Sequence, residues 1–117
     1  MNEQVFKART KQLALKVIEL VGELPAGRTG DILGRQLLKS GTSVGANYRA
    51  ACRAKSTADM IHKLSIVEEE ADETIYWLEL LGESKLMPSA RLDWLLKETD
   101  ELVAMTVASI KTLRARK

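Results

Sequence analysis

The chain has little with which to build covalent or metal chemistry. Its one cysteine, Cys52, excludes a disulfide framework or a cysteine-based zinc site within one chain. Its one histidine, His62, leaves few ways to assemble a catalytic or metal-binding cluster. Proline occurs twice and aromatics make up 4% of the residues, so turn-formers and strand-formers are both scarce and helix is favoured. No signal-peptide pattern is visible, since Val5-Phe6 is followed at once by Lys7, Arg9 and Lys11. The longest uncharged apolar run, Leu102 to Ile110, is half of what a membrane span needs. The sequence also lacks repeats and low-complexity tracts. These absences point to a small cytoplasmic helical protein.

What is present fits one domain spanning residues 1–117. A mass of 13.0 kDa is one domain's worth, and a chain this size buries roughly two thirds of its unfolded surface without covalent staples. Hydrophobic residues at 45% beside charged residues at 29% exclude a disordered chain.

Four helical segments can be read. The first is expected from about Glu3 to Leu24, where Phe6, Leu13, Val17, Leu20 and Leu24 share one side. Ala14, Ile18 and Val21 widen that stripe, which suggests burial on two sides. The second is expected to start near Asp31, an N-cap type, and to run to about Arg53. Leu33, Leu37, Val44, Tyr48 and Ala51 form its apolar stripe, with Gly34, Gly41, Gly45 and Cys52 aligned beside it. The Ser40-Gly41-Thr42-Ser43 stretch with Gly45 predicts either a kink or a packing reason for such small side chains. The third starts with Ser56 as N-cap and Asp59 three residues on, then keeps helical period to Leu81, with Gly82 expected as C-cap. The fourth follows Met87-Pro88-Ser89. Connections this short make neighbouring helices antiparallel, so the expected fold is an all-α, antiparallel up-down four-helix bundle.

Catalytic candidates fail one by one. A di-iron bundle needs two Glu-x-x-His motifs, and the nearest imitation is a single Asp59-x-x-His62. Cys52 lies on the small-residue stripe and reads as a packed thiol. Gly41-Thr42-Ser43-Val44-Gly45 lacks the lysine of a phosphate loop. A non-enzyme without metal or cofactor is expected.

Charge is where the sequence is informative. Net charge is only +2, but it is segregated. Arg28 to Lys63 holds seven Lys/Arg against Asp31 and Asp59, while Leu64 to Ser84 holds seven acids and no base. On one helix, Arg35, Lys39, Arg49 and Arg53 fall within about an 80° arc. Such a stripe can follow a phosphate backbone, each neutralised phosphate adding a salt-dependent increment. It can equally face solvent, or pair with the acidic edge of helix three (Glu68, Asp72, Glu79, Glu83) within a chain or between subunits. Helical periodicity does not choose between these.

Two stretches also resemble a family. Leu24-Pro25 with Gln36-Leu37-Leu38-Lys39-Ser40-Gly41-Thr42-Ser43-Val44-Gly45-Ala46-Asn47-Tyr48-Arg49-Ala50-Ala51 is similar to the hallmark of the bacterial four helix bundle proteins, also called 23S ribosomal RNA intervening-sequence proteins. Lys63 to Thr74 and Tyr76 to Leu81 resemble that family's third helix. The resemblance implies an up-down bundle that assembles as a ring, a homopentamer in known relatives. A related branch, the accessory variability determinant of diversity-generating retroelements, binds nucleic acid and a reverse transcriptase; its strongly basic overall charge is missing here. By position the resemblance assigns Ser43, Gly45 and Asn47 to structural roles in helix packing or oligomer contacts, which Gly41 joins as a small residue that lets a neighbour approach, and it makes Arg35, Lys39, Arg49 and Arg53 candidate contacts to RNA or DNA. The expected function is a homo-oligomeric scaffold that binds nucleic acid and brings it to a partner protein. The alternative is a structural or protein-interaction assembly whose basic stripe pairs between subunits.

Overall fold

The computed structural model describes residues 2–116. Four helices follow one another: α1 Glu3–Gly22, α2 Arg28–Cys52, α3 Thr57–Glu83 and α4 Ser89–Ala115. Each packs against its neighbours in sequence, and α4 closes back on α1, so the cross-section is a square of four antiparallel rods. Paired residues run in opposite directions along each seam: Gly41 meets Val17 and Gly45 meets Thr10. Likewise Arg9 meets Glu98, and Glu23 meets Arg91. The particle measures 48 × 21 × 20 Å, as expected for helices of up to 27 residues rising about 1.5 Å per residue. Among the described residues no helix is long and apolar enough to cross a membrane.

The core is aliphatic. Leu13, Val17, Leu20, Leu37, Val44, Val67, Leu78, Leu81 and Leu102 are fully buried, and Phe6 stacks on Tyr48 with ring centroids 4.1 Å apart. Polar groups inside it are satisfied within the helices. Thr99 and Thr106 donate to the carbonyls of Leu95 and Leu102, and Thr74 Oγ1 donates to Ser40 Oγ across the α2–α3 seam at 3.0 Å. The indole Nε1 of Trp77 is buried without a partner among the described residues.

Helix ends depart from the sequence expectation in three places. First, α1 stops at Gly22, two residues early. Second, α2 starts at Arg28 and not at Asp31, which lies in the first turn. The turn is made by Gly27 at φ 145°, a conformation open to glycine because it has no Cβ. Third, Gly82 is not the C-cap of α3. The helix runs to Glu83, and the left-handed residue after it is Lys85 at φ 65°. Gly82 is small for a different reason: a Cβ there would lie 2.9 Å from Leu92 Cδ1 of α4. Ser56 does cap α3, accepting from Asp59 N–H at 3.0 Å. Helix α2 passes through residues 40–45 unbroken, so the small side chains there have a packing reason.

Candidate nucleic-acid interface

The packing reason is α1. A Cβ on Gly41 would lie 2.8 Å from Val17 Cγ2, and one on Gly45 would lie 3.1 Å from Thr10 Oγ1. Val17 is fully buried and Thr10 nearly so, leaving little room to yield. Both glycines thus serve contact within the chain. Ser43 and Asn47 are half-buried, and each bonds its own helix: Ser43 Oγ donates to Lys39 O at 2.7 Å, and Asn47 Nδ2 donates to Ser43 O at 2.8 Å.

With α1 on one flank and α3 on the other, α2 shows solvent the face that carries Arg35, Lys39, Arg49 and Arg53. All four are exposed, and none forms an ion pair among the described residues. Pairing with α3 inside the chain is therefore not what the stripe does. Lys39 comes near an acid of α3. Glu70, half-buried, has its carboxyl pushed up by burial and by Glu73, and Lys39 only partly offsets this. Of the acids expected to oppose the stripe, Glu79 looks elsewhere: it lines a groove of about 410 Å³ between α3 and α4, with Asp93, Lys97 and Asp100 of α4.

Packing adds two cations that the stripe by itself does not contain. Lys7 and Lys11 of α1 join Arg49 around a groove of about 640 Å³ between α1 and α2, floored by Gly45, Ala46 and Ala14. Lys7 shares its charge with Glu3 at 3.2 Å, an exposed i,i+4 pair of the kind that contributes little. Their own i,i+4 spacing beyond the apolar stripe of α1 was the available sequence signal.

The remaining candidates are held in structural roles. Asp59 accepts from the Lys55 backbone N–H at 3.1 Å and from Lys63 Nζ at 3.0 Å, which hold its carboxyl below its usual range, while His62 is exposed. Burial pushes the Cys52 thiol up, and Tyr48 beside it likewise, so neither offers a nucleophile near neutral pH.

Fold and surface define an all-helical bundle with an exposed basic row along one helix. The particular kinship is narrower. The profile of the 23S rRNA-intervening sequence protein family matches residues 2–108, and the chain belongs to that family. A crystal structure of a protein with unknown function from the S23 ribosomal protein family of Bacteroides thetaiotaomicron superposes with a TM-score of 0.88. It is 34% identical, over 95% of this chain and 99% of that one. None of the curated proteins matches.

Proposed function

We propose that this chain is a non-enzymatic cytoplasmic scaffold that assembles into a homo-oligomeric ring, a pentamer, and binds RNA or DNA through the basic face of α2. One observation carries the reading: Arg35, Lys39, Arg49 and Arg53 stand exposed in one row and free of acidic partners among the described residues. Unneutralised cations in a row release counterions when phosphates replace solvent. Assembly is supported by Leu15 and Ile18 of α1, half-exposed aliphatic side chains outside the core. It is supported further by the placement of basic and acidic grooves on different flanks, because a ring joins two different faces of each copy.

Fluorescence anisotropy with labelled RNA and DNA, at low and physiological salt, tests the binding. A variant with Arg35, Lys39, Arg49 and Arg53 all changed to Gln is expected to lose salt-sensitive binding while light scattering shows the same oligomer. The same segregated grooves favour a second reading, in which the basic face of one copy meets the acidic α3–α4 groove of the next. In that case the wild type binds no nucleic acid at low salt, and added salt loosens the oligomer itself.

A further inference from the structure

Resting on the nucleic-acid reading above, we infer that the partner is a double helix held by its phosphates across the α1–α2 face, and not a single strand. The observation is where the aromatic residues lie. Single-stranded nucleic acid is held by cations interleaved with aromatic side chains, on which the bases stack. This chain has five aromatic residues, and the two that belong to α1 and α2, the helices of the basic face, are both buried. Phe6 and Tyr48 are stacked on each other inside the core, 1% and 7% exposed. Tyr76 and Trp77 lie edge to face on α3, with the Trp77 indole N–H buried. Trp94 is half-exposed on α4, in the groove between α4 and α1. The cations around Trp94 lie among acids: Lys16 pairs with Glu19 at 3.9 Å, Arg91 pairs with Glu23 at 2.6 Å, and Lys97 shares a groove with Glu98 and Glu101.

What the basic face does offer is charge over a broad surface. Arg35 to Arg53 spans about 27 Å of helix at 1.5 Å per residue, and Lys7 and Lys11 add a second row across the groove. Between the cations lie Thr42, Gly45 and Ala46, which provide no platform for a base. Neither can α2 enter a major groove about 12 Å wide, because α1 and α3 flank it on both sides. A surface of this kind contacts phosphates from outside. It therefore favours the partner with the denser phosphates, a duplex carrying one charge per ~1.7 Å.

The test uses the intact protein and four probes of 20 nucleotides or base pairs: duplex RNA and duplex DNA of scrambled sequence, a second duplex of unrelated sequence, and single-stranded oligouridine. Anisotropy titrations would run over a salt series with wild type and a Lys7→Gln/Lys11→Gln variant, circular dichroism confirming that the variant is folded. The duplexes are expected to bind at least tenfold tighter than the single strand and within tenfold of one another. The variant should lower the log–log salt slope by about two, one unit per lost phosphate contact. Single-strand binding as tight as duplex binding overturns the inference, as does discrimination between duplex sequences or an unchanged slope in the variant. Each of these leaves nucleic-acid binding itself standing. Absence of binding by every probe at low salt overturns both.

Discussion

The two flanks of α1 are joined to the bundle by different physics. Toward α2 the seam is closed by shape: Gly41 admits Val17 where a Cβ would clash, Gly45 admits Thr10 where a Cβ would be tight, and the contact carries no charge. Toward α4 the seam is the most sparsely packed of the four, and ion pairs bridge it. At one end Arg9 donates to both carboxylate oxygens of Glu98 and to Glu101, with the Met105 sulfur alongside. At the other end Arg91 donates to both oxygens of Glu23. A groove of about 280 Å³ lined by Gln12, Lys16 and Trp94 separates the two. Close packing is short-ranged and insensitive to salt, whereas exposed charge pairs are screened and individually weak. One helix therefore has one rigid seam and one adjustable seam.

The largest effect that would break this comparison is Gly41→Leu. Leucine is the better helix former by nearly 1 kcal/mol, so any loss must come from the clash with Val17. A destabilisation of about 1–3 kcal/mol or more is expected in urea or thermal unfolding. Gly22→Ala, with nothing within 4 Å of the new Cβ, should not destabilise. Unchanged stability of the Gly41 variant would sink the account of the rigid seam.

Next in size is Arg9→Gln. It leaves Glu98, whose side chain is 12% exposed, without its cation, and a loss of about 1–2 kcal/mol is expected. Arg91→Gln removes a pair that is 45% exposed on both sides, and no change in melting temperature is expected. Hydrogen exchange would sharpen the contrast: raising salt should speed exchange at the α1–α4 seam and leave α2 unaffected. Equal response on both flanks would mean that charge is not what joins α1 to α4.

The smallest effect is a gain. Burial raises the carboxyl of Glu70 above its unfolded value, so the folded state binds the proton more tightly. Stability contributed by that group falls as pH rises through the two values, and Glu70 is a liability at neutral pH. Glu70→Gln should therefore stabilise slightly at pH 7, by no more than about 0.5 kcal/mol, with the advantage gone once the carboxyl is protonated in both states. A variant less stable than wild type at pH 7 would show that Lys39 outweighs the burial.

Helix identity was legible in the apolar periodicity, and so was the Ser56 cap, because both depend on residues within a few positions of one another. The start of α2 was not. Arg28-Thr29-Gly30 carries no apolar period, and the signal that starts the helix is a backbone angle at Gly27. Gly82 misled for a related reason, since a glycine near a helix end serves a cap or a close neighbour equally well. Here Leu92, from another helix, is the cause. At the candidate interface, the α2 stripe could be drawn from spacing alone. Lys7 and Lys11 stand far from it in sequence, and only the glycine-mediated approach of α1 brings them beside Arg49.

Four helices, the aliphatic residues at the centre of each buried stripe, and the separation of the α2 cations from the run of acids on α3 were all written in the sequence. Those properties follow from side-chain period and short-range backbone preference. Only the tertiary structure decided which faces meet. It turned Glu79 toward α4, buried the aromatic residues of α1 and α2, and built a groove from two helices. Those outcomes depend on how rods rotate about their own axes when their surfaces interlock, and a linear pattern gives faces but not rotations.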